Sequence, residues 1–365
     1  MKSIIFFLCV LFNSQFFSEE IDLSLDIEIK EPKNIIFNRI IDIATDSKNN
    51  IYLLDSKEKM VYLFNDEGIF LKKIGRPGQG PGELSKPTSI YIDSKDIIYI
   101  FDKGNIRVEI FDSEADYIRS IKSNDFPSAG RTQIIVDRKG EFYISGYYKG
   151  KDTVLCKFSS IGKLIKSFPL PVIEYKGRDF DDFQKTMIMF SLNGGSMCFD
   201  EKERIFFSYF WPYSIKLLTK EGNELFQFSR ENNLNWKPMI FRGKEKGYVL
   251  GESTRTYGIF FLNDKYMINS ILNVDWEGNP EKKIPLPLTP SIIEKYMKIK
   301  GVSAVLDFYT SEGEFIASVK MDEKIYFLTS DKKGRIIGIK LDEEDIPTIV
   351  RYCIALYKNK PGKVR

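Results

Sequence analysis

The chain of 365 residues contains no histidine. This absence excludes the Ser-His-Asp and Cys-His arrangements of nucleophilic catalysis, because both need an imidazole as the general base. It also removes the commonest transition-metal ligand and the only side chain whose unperturbed pKa lies near 7. The chain therefore lacks the usual general base of serine and cysteine hydrolases and the commonest ligand of transition-metal sites.

Cysteine is scarce and the charges nearly cancel. Of four cysteines, Cys9 lies in an apolar N-terminal segment, and the remaining three cannot form a fully paired disulfide framework. Lys and Arg number 54 against 51 Asp and Glu, so the net charge is only +3. This small excess gives no electrostatic argument for nucleic-acid binding. We expect buried free thiols at Cys156, Cys198 and Cys353.

Sustained helical periodicity is also missing, and short runs of Ile, Val, Tyr and Phe between turn signals indicate strands instead. One pattern recurs: an Asp closes an apolar run, a polar turn follows, and a β-branched or aromatic pair comes next. The spacing of about 45 to 65 residues indicates a propeller or another repeat array. The copies are marked by Asp46, Asp93, Asp137, Asp200, Asp264 and Asp331.

A second marker follows each of the first five Asp markers. It consists of a large apolar residue, three turn residues and a closing Gly, which supplies the positive φ of a tight turn between strands. Together the two markers divide each repeat into four strands, A to D. The copies of the second marker are 64–68, 111–115, 158–162, 218–222 and 309–313, with Ala115 in place of Gly in one of them.

The two ends of the chain predict how the array closes. The last repeat supplies strands A to C at 324–329, 336–341 and 348–355 but no strand D. Residues 22–30 alternate apolar and polar side chains, as a strand with one buried face does. We therefore predict an all-β, six-bladed β-propeller with four-stranded antiparallel blades, closed by an N-terminal strand. Residues 19–365 form this domain, with an insertion at 275–302 in blade five.

One segment resembles a known repeat. Gly75-Arg76-Pro77-Gly78-Gln79-Gly80-Pro81-Gly82-Glu83-Leu84, with the strands that follow to Asp112, resembles an NHL repeat. The whole chain resembles the secreted bacterial six-bladed propellers of the NHL-like group, many of which have no known activity. The resemblance implies a fold more firmly than a function. A peptide-amidating lyase with a similar propeller depends on metal-binding histidines, which this chain lacks.

The N-terminus predicts export. Met1-Lys2-Ser3 precedes an apolar run, residues 4–12, that is too short to span a bilayer. We interpret residues 1–18 as a signal peptide, with an uncleaved anchor as the alternative. The mature chain is then a monomer without a transmembrane domain, secreted, periplasmic or on the outer envelope surface.

Loop lengths predict where the functional surface lies. The A-to-B and C-to-D turns share one face of a propeller and are short here, whereas the longer connections all belong to the opposite face. Long loops in a compact domain are usually functional. We therefore expect binding around the channel mouth on that face. The long segments are 75–88, 122–132, 169–195, 229–256 and 275–302.

Aromatic and charged residues on these loops are the candidate ligand-binding groups. Exposed aromatics interleaved with Gly and Pro suit a peptide, glycan or protein partner, because they offer a large contact area at low entropic cost. The alternative is that they pack beneath neighbouring loops. The candidates are Tyr147, Tyr148, Arg178, Asp179, Tyr209, Trp211 and Tyr213.

A different class of function remains open. In calcium-dependent lactonase propellers, which this fold resembles, carboxylates and an Asn at the channel mouth hold Ca²⁺ and polarise a carbonyl. Asp55, Asp102 and Asn105 end B strands or begin the following loops of blades one and two. Asp is also a common turn residue. We favour a binding propeller without a cofactor over this hydrolase.

Overall fold

A computed structural model describes most of the chain. The described residues are 19–33, 35–127, 129–148, 150–172, 193–210, 213–228, 240–242, 248–250, 255–277, 298–321, 323–342 and 345–358. Every regular element among them is a β-strand. The predicted signal peptide lies outside the described residues.

The first three blades follow one another along the chain. Each is a four-stranded antiparallel sheet whose strands, A to D, pair in sequence order. Strand β1 (Glu19–Ile29) precedes them and belongs to the last blade. Blade one is β2 (Ile40–Thr45), β3 (Ile51–Asp55), β4 (Met60–Phe64) and β5 (Phe70–Ile74); two short parallel strands, β6 (Arg76–Pro77) and β7 (Glu83–Leu84), follow; blade two is β8 (Pro87–Ile92), β9 (Ile98–Asp102), β10 (Arg107–Phe111) and β11 (Tyr117–Lys122); blade three is β12 (Ile134–Val136), β13 (Phe142–Ser145), β14 (Leu155–Phe158) and β15 (Leu164–Ser167).

Blades five and six have longer strands, and the connection from blade four to blade five is long. A separate hairpin of β20 and β21 lies in the connection between blades four and five. Blade four is β16 (Gly195–Phe199), β17 (Ile205–Tyr209), β18 (Ile215–Leu218) and β19 (Glu224–Phe228); the hairpin is β20 (Ile240–Arg242) and β21 (Tyr248–Leu250); blade five is β22 (Arg255–Leu262), β23 (Tyr266–Glu277), β24 (Lys298–Thr310) and β25 (Phe315–Met321); blade six is β26 (Ile325–Ser330), β27 (Arg335–Leu341) and β28 (Pro347–Lys358), with β1 as its strand D.

The predicted insertion in blade five is partly strand. β23 continues to Glu277 and β24 begins at Lys298, and their pairing includes Asp275 opposite Gly301. The two ends of the predicted 275–302 insertion therefore extend the blade, because each extended backbone finds its hydrogen-bond partner in the other. Residues 278–297 lie outside the described part of the chain.

The repeated Asp fixes the turn between strands A and B. One oxygen of Asp46 accepts the N–H groups of Lys48 and Asn50, both at 2.9 Å. Its other oxygen accepts the Tyr52 hydroxyl at 3.1 Å. The same three contacts recur at Asp93 and Asp137. The sequence repeat is thus a turn motif, because each carboxylate satisfies the donors that a tight turn leaves unpaired.

The blades form a closed ring. Their A strands contact one another in the cyclic order β2, β8, β12, β16, β22, β26 and back to β2. β1 pairs antiparallel with β28 from Glu19 opposite Lys358 to Ile29 opposite Ile349. The six-bladed propeller closed by an N-terminal strand is therefore confirmed, and that strand is longer than the predicted 22–30 at its N-terminal end. Buried apolar clusters fill the spaces between neighbouring blades.

One hydrogen bond links successive blades around the channel. A side chain on or just before strand A of one blade accepts a backbone N–H from strand A of the next. In blades two, three and four, the residue that follows the acceptor donates its own N–H to the preceding blade. The links run from Ile90 to Asp42, Ile134 to Ser89, Met197 to Gln133 and Ile259 to Ser196.

Blade five makes the same link with a different residue. The equivalent position is Gly258, where an added Cβ would lie 2.5 Å from the carbonyl oxygen of Phe327. Ser270, which pairs with Gly258 across the sheet, supplies the acceptor for the Phe327 N–H at 3.0 Å. Glycine is needed here because the backbone of blade six approaches too closely for a side chain.

An ion-pair network spans the junction of blades six and one. Asp66 of blade one accepts hydrogen bonds from Lys333, Arg335 and Arg351 of blade six. Arg351 also contacts Asp26 of β1 at 2.6 Å. The closing strand is therefore tied to both blades by charged hydrogen bonds as well as by its backbone ladder.

Replacing Ser89 tests the link between blades. Ser89→Ala removes the buried acceptor of the Ile134 N–H and a donor to Asp42. An unsatisfied buried group costs about 1–3 kcal/mol, and we expect the free energy of unfolding in urea to fall by that amount. Ser94→Ala, at an exposed turn position of the same blade, is the control. Equal stability of the two variants would contradict the role of the link.

Acid unfolding tests the network at the ring junction. Burial raises the pKa of Asp66, but hydrogen bonds from Lys333 and Arg335 and the charges of Arg335 and Arg351 outweigh this effect and lower the pKa to about 2. A lowered pKa stabilises the fold above pH 4, and this contribution is lost as the pH falls towards 2. We expect Asp66→Asn to lower Tm at pH 7. Between pH 4 and pH 2, the Tm of this variant should fall less than the Tm of wild type. Glu67→Gln, its exposed neighbour, should follow wild type.

Candidate functional site

A cavity occupies the centre of the ring. Its volume is about 20 Å³, which is room for about one water molecule, and it is lined by residues from all six blades. Most lining residues lie at or just before the start of an A strand, which is the end of the ring where the long D-to-A connections lead in. The cavity therefore lies on the face where sequence predicted binding. One lining residue from each blade is Asp42, Thr88, Gln133, Ser196, Tyr257 and Leu328.

Arg131 is the cationic side chain of the lining. Its guanidinium carbon lies 4.5 Å from the ring centre of Phe210 and 4.8 Å from that of Tyr257. Tyr257 in turn packs against Tyr326, with 4.5 Å between ring centres. Cation–π contacts of this kind help to hold a guanidinium in place. The rings of Phe210, Tyr257 and Tyr326 thus form an aromatic wall across blades four to six. This wall orients Arg131, which belongs to blade three.

Asp42 is the acidic side chain of the lining. Burial raises its pKa to about 6. Hydrogen bonds from Ile90 and Ser89 and the charge of Arg131 act to lower the pKa but do not outweigh burial. Its oxygens also accept the N–H of Ile43. Asp42 is therefore both a link between blades and an ionisable group beside Arg131.

Further cations lie near the segments that lead into the A strands of blades one to three. Lys103 donates a hydrogen bond to the carbonyl oxygen of Gly130, next to Arg131, at 2.7 Å. Burial and the charge of Lys86 lower the pKa of Lys103 to about 8. Burial raises the pKa of Tyr326, and the positive charges of Arg131 and Arg39 both act to lower it. Sequence reasoning missed these cations, although Arg39 and Lys86 each stand directly before an A strand.

Three predicted binding aromatics are buried. The hydroxyl of Tyr148 donates to the carbonyl of Ile144, and that of Tyr213 donates to Asp307 at 2.9 Å. Tyr209 donates to the carbonyl of Pro171 at 3.4 Å. The expectation that these rings are exposed is wrong, because the ends of the B strands pack against neighbouring segments and each hydroxyl finds a protein acceptor.

The other binding candidates have mixed outcomes. Tyr147 is partly exposed, and its backbone N–H bonds to Ala129. Arg178, Asp179 and Trp211 lie outside the described residues, so their part in binding stays a prediction.

The predicted calcium ligands have backbone partners. Asp55 accepts N–H groups from Asn38, Arg39, Lys57 and Glu58. Asp102 accepts equivalent bonds from Ser85, Lys86 and Gly104, and also the amide of Asn105. These contacts engage both oxygens of each carboxylate. The two aspartates position the backbone of Arg39 and Lys86 at the channel mouth.

No cluster of metal-binding side chains emerges from the described residues. Within them, no three Asp, Glu or Cys side chains lie where they could hold one ion. The Ca²⁺ site at Asp55, Asp102 and Asn105 gains no support from this geometry, since none of the three lines the cavity.

Comparisons with known proteins agree with the fold. The family model DUF5128, described as a 6-bladed beta-propeller, matches residues 25–160. The described residues include no helix capable of crossing a membrane. A search of curated proteins found no match.

Solved structures with this architecture share little sequence with the chain. A DUF4221 family member from Bacteroides vulgatus aligns with a TM-score of 0.63 at 12% identity, over 94% of this chain and 100% of its own. A candidate exported protein from Bacteroides fragilis aligns with a TM-score of 0.56 at 11% identity, over 92% and 95%. A streptogramin B lyase reaches 0.50 at 13% identity, over 94% and 100%. Identities this low establish similarity of fold alone.

The pH dependence of stability tests the state of Asp42. Its raised pKa makes a contribution to stability that is complete below pH 4 and lost as the pH rises through 6. Asp42→Asn cannot ionise, so its stability relative to wild type should increase between pH 5 and 7.5. Urea unfolding at both pH values measures this difference. A constant difference would show that Asp42 does not titrate in this range.

Proposed function

We propose that the chain is an exported binding propeller that recognises a peptide, glycan or protein partner at the central cavity and the long loops around it. The cavity, lined by side chains from every blade, is the observation that carries this proposal. The cavity has room for about one water molecule, so the ligand lies across its mouth, where polar side chains converge beside an aromatic wall as they do in ligand-binding sites. Export is supported by the apolar N-terminal segment and by the fold shared with the candidate exported protein from Bacteroides fragilis.

Binding is favoured over catalysis by the residues present. The cavity lining offers one carboxyl group, Asp42, whose oxygens already accept hydrogen bonds from blades one and two. A histidine-to-alanine variant of the virginiamycin B lyase from Staphylococcus aureus is described as catalytically inactive. This chain has no histidine to serve such a reaction. We therefore propose a binding function without a cofactor.

Covering the cavity mouth tests the proposal. Ile41 lines the cavity and is only partly buried, so Ile41→Trp should cover the mouth with an apolar ring. We expect wild-type protein to bind members of labelled peptide and glycan arrays and Ile41→Trp to lose those ligands, while its circular dichroism spectrum shows that the β-sheet fold is kept. Lys139→Gln, on an exposed turn of the opposite face, is the control. Ligands retained by Ile41→Trp would place binding elsewhere.

A further inference from the structure

One buried position in blade five departs from the pattern of the other blades. Asn269 of β23 lies opposite Ile259, the residue whose N–H makes the link to blade four. In blades two, three and four, the residues opposite the equivalent donors are Ile100, Ile144 and Phe207, all apolar and fully buried. Asn269 is fully buried as well. A polar side chain therefore takes the place of an apolar one in the packing between blades.

The side chain of Asn269 faces blade four. Met267 and Ile271, two residues before and after it on the same strand, belong to the apolar cluster between blades four and five. Side chains two residues apart on a strand share a face. Asp307, directly opposite Asn269 on β24, shares this face and accepts the hydroxyl of Tyr213 from blade four at 2.9 Å. An amide and a carboxyl group are thus enclosed together between the two blades.

Neither polar atom of the Asn269 side chain has a hydrogen-bond partner within the described part of the chain. Buried polar atoms in native proteins almost always bond to protein or to ordered water, because an unsatisfied one is destabilising. The two atoms also restrict the ligand, since the amide nitrogen donates and the amide oxygen accepts. A cation satisfies only the oxygen and an anion only the nitrogen, whereas a water molecule both donates and accepts. Asparagine is also smaller than the Ile and Phe of the equivalent positions, which favours a small ligand beside it.

We infer that Asn269 and Asp307 bind one water molecule between blades four and five. The water accepts a hydrogen bond from the amide nitrogen of Asn269 and donates one to the amide oxygen. Its second hydrogen is donated to Asp307, whose carboxyl group offers several acceptor positions. Three hydrogen bonds are typical of a buried water. Neither residue lines the central cavity, so this site is independent of the proposed binding function.

A crystal structure of the wild-type chain tests the site directly. We expect an electron-density peak with contacts of about 2.7–3.2 Å to both amide atoms of Asn269 and to Asp307, as hydrogen bonds to water require. Contacts of about 2.3–2.6 Å to oxygen atoms alone are typical of calcium and would overturn the inference. A direct hydrogen bond between Asn269 and Asp307, with no peak beside them, would overturn it as well.

Oxygen-17 magnetic relaxation, which counts long-lived internal waters, tests the site in solution. Asn269→Leu replaces the amide by an apolar group of similar size, so this variant should hold one such water fewer than wild type. Asn223→Leu makes the same change at an exposed turn of blade four and should keep the wild-type count. Circular dichroism shows whether each variant is folded. An unchanged count in folded Asn269→Leu would contradict the inference, and if that variant does not fold, the wild-type crystal structure decides.

Discussion

The pairing of β1 with β28 closes the ring and holds the six blades together. It joins residues more than 300 positions apart and completes a blade whose other strands come from the C-terminal end of the chain. Closure allows the A strands to converge, and the cavity exists only because they do. The ion pairs of Asp26 and Asp66 with Arg351 reinforce the junction where the backbone is discontinuous. A ring without this strand would expose the edge of β28.

The residues that connect the blades also build the candidate site. Asp42, Gln133 and Ser196 each accept an N–H from the next blade and also line the cavity. Asp55 and Asp102 likewise close the blade ends and hold the segments that carry Arg39 and Lys86. Stability and recognition therefore draw on the same side chains. This arrangement makes the site rigid, because its groups are fixed by the ring.

The buried tyrosines show why aromatic content on a loop is a weak guide to a binding surface. Tyr209 ends strand B of blade four and Tyr213 follows it closely, so both lie where one blade packs against its neighbour. Sequence spacing gives no information on which blade supplies the facing surface. Arg131, by contrast, is unremarkable in sequence and becomes a candidate only because Phe210 and Tyr257 from other blades surround it.

The blade count, the turns and the closing strand follow from sequence, because each depends on local patterns: the Asp of the A-to-B turn, the Gly of the C-to-D turn and the alternation in residues 22–30. Loop lengths also predicted binding on the face where the cavity lies. Which side chains meet there depends on the folded ring. The cavity unites residues from six blades, and Asp55 and Asp102 proved to bind backbone where sequence allowed a metal. Contacts between distant repeats depend on how the blades are stacked, and no local pattern encodes that geometry.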